Sequence, residues 1–400
     1  MNQCVILIGG KGSRLGQITK NFPKPMLNID EKPFLIHLIN QIKIFGFSEV
    51  LLLAGHSSSV VEEYFKKNII KNISIKIITE DSPLGTGGAL LNAYEHLDDT
   101  FFLMNGDSII DGNWLSILEN LDAQNDVSIA LIKKDNCSRY GSVKIKDNKV
   151  IEFEEKKESN QAGYINGGIY CIKKHILKNI AVNNLSFEND ILFQLVKDKR
   201  VSGSEVKGYF IDIGTPESLK EANNADWIYE KKAVIFDRDG TLNVDHGYTH
   251  KISDLVWMSG AISLIRHLND LNYLVFVATN QAGIAKGKYK ENDMHIFHSE
   301  MQNQLHKNGA HIDGFFFCPY HKDGIIPEYS IDSQDRKPNI GMLSDIASSW
   351  NLRKNNMLLV GDRDSDIQCA KNFGIKSIKY NGLVNLCNLK DNIIKSWENK

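Results

Sequence analysis

Two aspartates flank a single arginine, Asp237-Arg238-Asp239, directly after the apolar run of AVIFDRDGTLN, residues 233–243. Side chains alternate along a strand, so carboxylates two residues apart leave its end on the same side. Two like charges about 4 Å apart repel by roughly 4 kcal/mol at an effective dielectric of 20. A cation or a proton must therefore intervene. Such a pair can divide nucleophilic attack and proton transfer between its two members. On this fragment alone, an Asp-Gly turn ending a strand is the competing reading.

Other segments supply the rest of such a site. VFVA is followed by Thr279-Asn280-Gln281, Asp335-Arg336-Lys337-Pro338 precedes a helical stretch, and MLLV runs into Gly361-Asp362-Arg363-Asp364. A parallel sheet gathers strand ends along one edge, where open α/β folds bind ligands. The set then offers a nucleophilic carboxylate, a second carboxyl, a hydroxyl, a lysine and a third carboxylate for a metal.

A different set occupies the first half. The opening strand ends in Gly9-Gly10-Lys11-Gly12-Ser13-Arg14, where missing Cβ atoms let backbone N–H groups approach a phosphate and Arg14 offers forked donors. Lys24 lies between Pro23 and Pro25, which stiffen the backbone that aims it. Glu80 to Leu90, EDSPLGTGGAL, places the small residues Gly85 and Thr86 before a helix, a setting that suits a base edge or a phosphate. Asn105-Gly106-Asp107 and Ile211-Asp212-Ile213-Gly214 end two more apolar runs, and their aspartates could share one divalent cation. Taken singly, each feature also reads as an ordinary turn or surface loop.

Alternating elements must position both sets. CVILI, FLIHLINQIKIFG, VLLLA, SVVEEYFKK, IKIIT, a helix near 87–97 and TFFLMNGD alternate strand and helix periods, as stacked βαβ units around a mostly parallel sheet do. From about 127 to 172 the texture turns β-rich, followed by helical SFENDILFQLV and a short pair of strands in GSEVKGYFIDIG. AVIFD then restarts the alternation, with a helix near 291–308. The expected architecture is two α/β domains, an N-terminal Rossmann-like one with a β-rich insertion over 1–228 and a second α/β domain over 232–400. At 400 residues the chain is long enough for two cores.

Composition excludes several functions. Lys and Arg number 47 against 49 Asp and Glu, so no net charge draws the chain to nucleic acid or to an anionic membrane. No run approaches the roughly 20 apolar residues of a membrane helix, and the N-terminus lacks a signal peptide's pattern; the expected location is the cytoplasm. Six scattered cysteines without a CxxC pair read as reduced thiols.

The order GGKGSRLG, PKPM, EDSPLGTGGAL, NGD, FEEK, NGGIY and DIGTPES over about residues 3–220 resembles the sugar-1-phosphate nucleotidyltransferases. The resemblance implies that Gly9, Gly10, Gly12, Glu80, Gly85, Thr86 and Arg14 hold a nucleoside triphosphate and that Lys24 steadies phosphate charge. It further implies Mg²⁺ on Asp107 and Asp212, and a sugar phosphate on Glu155, Lys156, Asn166 and Gly167. Glu155-Lys156-Lys157 departs from the family's usual E-K-P.

DRDGT, ATN, RKP and GDRDSD likewise resemble the haloacid-dehalogenase phosphatases, here without a large cap, since about 40 residues separate Asp237 from Thr279. The resemblance makes Asp237 the nucleophile, Asp239 the acid–base group, Thr279 and Lys337 stabilisers of phosphoryl oxygens, and Asp237, the Asp239 carbonyl and Asp362 the Mg²⁺ ligands. DRDGTLNVDHGYTHK, VATNQAGIAKGKY, CPYH and RKPNIGML narrow it to the D-glycero-D-manno-heptose 1,7-bisphosphate 7-phosphatases, with histidinol-phosphate phosphatases close in outline. Asn280 stands beside Thr279 as a substrate contact, while Lys286 and Arg336 are candidates for a second anionic group. Relatives often carry a zinc loop, C-x-H then C-x-C-R-K-P. Here Tyr320, Ser333 and Asp335 stand at three of its ligand positions, too few ligands remain for a closed tetrahedral site, and zinc is not expected.

A phosphatase that leaves a sugar 1-phosphate and a transferase that consumes one would run consecutive steps. The expectation is a bifunctional enzyme making GDP-D-glycero-α-D-manno-heptose from heptose bisphosphate, heptose 1-phosphate and GTP, on the path to a surface polysaccharide such as lipopolysaccharide. A transferase using CTP, UTP or another sugar, a histidinol-phosphatase-like activity, and a phosphatase with a nucleotide-sensing first half are the alternatives.

Overall fold

In a computed structural model, residues 3–10, 15–16, 19, 22–55, 58–70, 73–140, 142–154, 161–181, 184–224, 231–350 and 352–398 are described. Of the residues named above, Lys11, Gly12, Ser13, Arg14, Glu155, Lys156 and Lys157 lie outside that set. The chain divides into two compact units, residues 1–225 and 226–400.

The strands of the first unit are β1 (Gln3–Leu7), β2 (Asn28–Ile29), β3 (Lys32–Pro33), β4 (Glu49–Ala54), β5 (Ser74–Thr79), β6 (Thr100–Asn105) and β7 (Ser108–Asp111). They continue as β8 (Val127–Lys134), β9 (Ser142–Lys146), β10 (Lys149–Glu154), β11 (Gly163–Lys173), β12 (Val201–Glu205) and β13 (Tyr209–Asp212). Nine form one sheet in the order β5-β4-β1-β6-β11-β8-β12-β10-β9. Its first four strands are parallel, and β11 turns antiparallel against both β6 and β8. The β-rich stretch thus extends the parallel sheet rather than forming a separate layer.

Burial on both faces explains why β1 and β4 read as unbroken apolar runs. The helix Phe34–Ile44 buries Phe34, Leu35, Leu38, Ile39 and Ile42, a spacing that gives one helical stripe. Trp114 lies fully buried among Phe45, Phe47 and Phe102, its ring 4.4 Å from that of Phe45. The stretch near 87–97 is a helix over Gly85–Asn92 followed by a separate 3-10 turn, Tyr94–His96.

The two strands of GSEVKGYFIDIG do not pair with each other. β12 runs parallel to β8, whereas β13 pairs with β7 in a two-stranded ribbon. Gly208, at φ +145°, permits the crossing, because a Cβ there would lie 2.1 Å from the Asp111 carbonyl.

Five parallel strands make the sheet of the second unit: β14 (Ala233–Phe236), β15 (Leu274–Asn280), β16 (Gly314–Cys318), β17 (Met357–Gly361) and β18 (Lys376–Lys379), ordered β16-β15-β14-β17-β18. The helix Ala261–Asp270 packs Ala261, Leu264, Ile265 and Leu268 into the core on one face, and Phe297, Met301 and Leu305 of Glu291–His306 join them. Met342, Leu343, Ile346, Cys369 and Phe373 build the core on the sheet's other face. With helices on both faces, the strand ends are where polar side chains can gather.

Candidate active sites

In the first unit the register fixes the site. Leu7 pairs with Leu53 and Asn105, and Ala54 pairs with Thr79, so four parallel strands end level with one another. Gly9-Gly10, Glu80 and Asn105-Gly106-Asp107 consequently share a cleft of about 440 Å³, which Lys24, Gly85 and Thr86 also line. Gly106 is obligatory for close approach: a Cβ there would lie 2.5 Å from the Leu7 carbonyl.

Lys24 Nζ donates to Asp107 Oδ2 at 2.5 Å, and Ser108 Oγ donates to the other oxygen, Oδ1, at 3.2 Å. Asp212 is paired with Arg139, whose Nη2 also donates to Ser218 Oγ at 3.2 Å. Ile213 N donates to the Asp107 carbonyl at 2.8 Å, and a Cβ on Gly214 would sit 2.9 Å from Asp212 Oδ2 and 3.4 Å from Lys24 Nζ. Asp107, Asp212 and Lys24 are thus neighbours. The two carboxylates supply the hard oxygen donors that Mg²⁺ prefers.

Asn166, Gly167 and Gly168 form an irregularity in β11 where its register against β8 shifts. Gly167 is buried against Ile110 and the Ala130 carbonyl, and Asn166 donates to Tyr170 Oη at 2.7 Å and Glu188 Oε1 at 3.1 Å. It is Tyr170 and Glu188 that face the cleft. The break re-aims the strand, as bulges do. Sequence reasoning did not single out Tyr170, Glu188 or Arg139; NGGIY contained the first, and nothing local marks the other two.

In the second unit, Phe236 pairs with Val277 and Val360, which brings Asp237, Thr279 and Asp362 to one edge. Lys337 is buried and donates Nζ to Asp237 Oδ1 at 2.7 Å and to the Ala278 carbonyl at 2.7 Å, with Asp366 Oδ1 at 2.6 Å. Asn280 holds that lysine's backbone reciprocally: its Nδ2 donates to the Lys337 carbonyl and its Oδ1 accepts from Lys337 N, both at 3.0 Å. Burial pushes the Asp237 carboxyl up to about 7 against the pull of Lys337, with Asp366 and Asp239 adding to the rise. Burial works against the Lys337 ammonium, but Asp237 and Asp366 outweigh it and hold its pKa above the ordinary lysine value. Burial also raises Asp362.

Asp237, Asp362 and Asp366 offer oxygens within 4.8 Å of one another, the one such grouping of three potential ligands among the described residues. An all-oxygen set suits Mg²⁺. Asp366 was not singled out from sequence, although it closes the GDRDSD segment. Gly240, at φ +86°, is required here, since a Cβ would lie 2.6 Å from Asp362 Oδ2.

Asp239 faces the same cleft, of about 410 Å³, together with Thr279, Asn280, Lys286, Arg336, His321 and Arg363. Gln281 Nε2 donates to Thr279 Oγ1 at 2.7 Å. Lys286 Nζ donates to Tyr248 Oη at 3.2 Å, and Arg336 Nη1 to the Tyr320 carbonyl at 3.3 Å. Both cations therefore stand on the rim already oriented. Tyr248, Arg363 and Asp245 are further wall residues to which sequence reasoning gave no role.

The loop after Cys318 is held by hydrogen bonds. His321 N donates to the Tyr329 carbonyl, Ile325 N and Ile326 N to the Ala285 carbonyl, and Asp335 N to Ser333 Oγ. His321 Nδ1 accepts from Asp323 N at 3.1 Å.

Comparison with known proteins follows the same division. A Nucleotidyl transferase family model matches residues 3–227, and a HAD-hydrolase-like model matches residues 334–382. A D-glycero-alpha-D-manno-heptose 1-phosphate guanylyltransferase of Campylobacter jejuni is 37% identical over 217 residues, 54% of this chain and 96% of that protein. A D-glycero-beta-D-manno-heptose-1,7-bisphosphate 7-phosphatase of Rhodopseudomonas palustris is 37% identical over 152 residues, 38% of this chain and 84% of that protein. Among solved structures, HddC from Yersinia pseudotuberculosis complexed with GMP-PN is 32% identical with a TM-score of 0.52, covering 56% of this chain and 98% of that one. Two strand-edge sites on one chain, each matched by its own relatives, make it a member of the nucleotidyl transferase family fused to a HAD-like phosphatase.

Proposed function

We propose that the chain carries out two consecutive steps of nucleotide-sugar synthesis, removing the 7-phosphate of D-glycero-D-manno-heptose 1,7-bisphosphate and joining the resulting 1-phosphate to a guanylyl group from GTP. The observation that carries this reading is the pairing itself. One half matches a protein named for making a heptose 1-phosphate and the other a protein named for consuming one. The two names differ in anomer. Removing a phosphate from C7 leaves C1 untouched, so the two steps connect only if the bisphosphate already has the configuration the transferase takes. We assign the α anomer to both.

In the phosphatase, an Asp237 oxygen bonds to the phosphorus of the 7-phosphate while the bond from phosphorus to the sugar oxygen breaks, and Asp239 gives that oxygen its proton. Water then bonds to the same phosphorus and returns a proton to Asp239. The bond to Asp237 breaks and inorganic phosphate leaves. Lys337, already on Asp237, and Thr279 hold the equatorial oxygens, and Lys286 and Arg336 receive the 1-phosphate.

In the transferase, a sugar phosphate oxygen bonds to the α-phosphorus of the triphosphate while the bond to pyrophosphate breaks. That displacement needs alignment and neutralised charge more than covalent help. Lys24 supplies part of the charge, and Gly9 and Gly10 line the cleft beside it with Tyr170 and Glu188 facing it; Gly12, Arg14, Glu155 and Lys156 enter this reading from the family resemblance alone. Mg²⁺ at both sites would add Lewis acidity, held by Asp237, Asp362 and the Asp239 carbonyl in one and by Asp107 and Asp212 in the other.

Guanine is favoured by Glu80. A carboxylate only accepts hydrogen bonds, and guanine offers N1–H and N2–H donors side by side. Glu80 Oε2 accepts from Leu84 N at 3.1 Å, which fixes the carboxylate in the wall. Among the described residues of both units no helix is long and apolar enough to cross a membrane, in keeping with an enzyme of small soluble substrates.

The test is direct. The full chain is given the α-bisphosphate, Mg²⁺ and each nucleoside triphosphate in turn, and products are identified by mass. GDP-heptose with one phosphate and one pyrophosphate released is expected. Phosphate release with no nucleotide sugar from any triphosphate would refute the second step.

A further inference from the structure

Arg238 is fully buried between the two catalytic aspartates in sequence, yet it lines no part of the cleft. Its guanidinium turns inward onto Asp239. Nε donates to Asp239 Oδ1 at 3.1 Å, and Nη2 to Oδ1 at 2.9 Å and to Oδ2 at 2.8 Å. The guanidinium is also anchored in the interior: Nη1 donates to His298 Nε2 at 3.1 Å, and Nη2, which shares its two hydrogens among these acceptors and Asp239, lies 2.6 Å from the Thr249 carbonyl and 3.3 Å from Gln281 Oε1. The Phe297 ring lies 4.7 Å from the guanidinium carbon, and His298 is stacked on Phe315 at 4.4 Å. Burial, then the charge of Arg238, lowers the His298 pKa and keeps the ring neutral, which leaves Nε2 free to accept.

Asp239 receives two more hydrogen bonds, from Asn243 Nδ2 at 3.0 Å and Gln281 Nε2 at 3.1 Å. Four donor nitrogens converge, through five contacts, on a group with about four lone-pair positions. This side chain is held in one orientation, and Arg238 provides three of the five contacts. An arginine is suited to that task because its planar fork matches a carboxylate bidentately, and a lysine offers only a point charge.

We infer that Arg238 is a positioning residue: braced from behind by His298 and Phe297, it fixes Asp239 at the angle from which it serves as acid and then as base. The site thereby orients its acid–base group from within the core. This rests on the aspartyl-phosphate reading above. Nothing in the inference requires Arg238 to touch substrate.

The reaction separates positioning from simple structural support. An activated ester such as 4-nitrophenyl phosphate releases its leaving group without a proton donor, so formation of the phosphoenzyme on Asp237 no longer needs Asp239, whereas its hydrolysis does. In the full chain with Mg²⁺, Arg238→Lys should lower steady-state turnover of both the sugar bisphosphate and the aryl ester about 100-fold. Its rapid-mixing burst of 4-nitrophenol should nevertheless approach one per site, and trapped phosphoenzyme should accumulate. His298→Phe keeps the stack on Phe315 and removes one brace, and about a tenfold slowing with a retained burst is expected there; it decides the matter if Arg238→Lys does not fold. Loss of the burst in proportion to turnover, or turnover within threefold of the unmodified protein, would overturn the inference. If the unmodified protein forms no phosphoenzyme at all, the aspartyl-phosphate reading itself fails, a separate result.

Discussion

The two sites handle acidic side chains in opposite ways. In the transferase each carboxylate has its own cation, Asp107 with Lys24 and Asp212 with Arg139, and Asp107 remains 37% exposed. In the phosphatase Asp237 and Asp366 share one ammonium, Lys337, and all three side chains are at most 8% exposed. The difference follows from what each site must do. A transferase that aligns two phosphorylated substrates imports much of its charge with them, so its acids can wait near water in one-to-one pairs. A phosphatase that makes a covalent bond through its own carboxylate must hold that oxygen still, in a place where an unshared charge would be costly.

The largest effects should break the comparison into independent halves. Asp237→Asn removes the nucleophile and should lower phosphate release by at least about 10⁴-fold, as loss of a nucleophile does elsewhere, while pyrophosphate release from heptose 1-phosphate and GTP stays unchanged. Lys24→Ala should do the reverse, slowing nucleotidyl transfer about 100-fold, the typical size for losing one charge-stabilising group. Two coupled assays on each purified variant read both activities. Loss of both from one change in a folded protein would mean that the sites do not act separately.

A smaller effect sharpens the transferase side. With Glu80→Gln, one acceptor on the base edge becomes a donor that meets guanine's own N–H groups. Preference for GTP over UTP, taken as the ratio of kcat/KM values, should fall by about 100-fold, in line with the penalty for mismatched buried polar groups. An unchanged ratio would mean that another part of the cleft reads the base. Thr86 is the nearest such candidate wall residue in the sequence; its Oγ1 already accepts from Phe187 N at 2.8 Å.

How much of this was legible beforehand differs between the sites for a physical reason. Lys337 comes from a turn before the helix Gly341–Ser349, whereas Asp237, Thr279 and Asp362 each follow a short apolar run, and parallel pairing necessarily brings such ends together. Their convergence could be read from pattern alone. Arg139 reaches Asp212 from a turn, and Tyr170 and Glu188 line the other cleft from a strand after a register shift and from a turn of π-helix. None of those placements has a periodic signature. Asp366 was missed for a different reason: it sits one helical turn past Asp362, at a helix N-terminus where an acid is expected as a capping group, and its side chain does accept from Arg363 N at 3.0 Å. Asn166 shows the reverse, a residue expected to contact the sugar phosphate whose side chain instead donates to Tyr170 and Glu188. The pairing of β13 with β7 was hidden because a strand's partner is chosen by tertiary packing, and only the Gly208 crossing selects it.

The smallest effect measures the contrast in shared against separate pairing through stability. Asp366→Asn leaves Lys337 with one carboxylate instead of two in a site closed to water, and should destabilise the second unit by about 1–3 kcal/mol. Asp107→Asn, at a more open position with Lys24 still able to reach solvent, should cost the first unit less than about 1 kcal/mol. Urea unfolding would be followed by Trp114 fluorescence for the first unit and by Trp227, Trp257, Trp350 and Trp397 for the second, with each unit in turn carrying its tryptophans replaced by phenylalanine, because a two-unit chain need not unfold in one transition. Equal losses at the two positions would show that burial does not separate them, and the division between a site that keeps its own charge shared and one that draws charge from its substrates would then have to rest on kinetics alone.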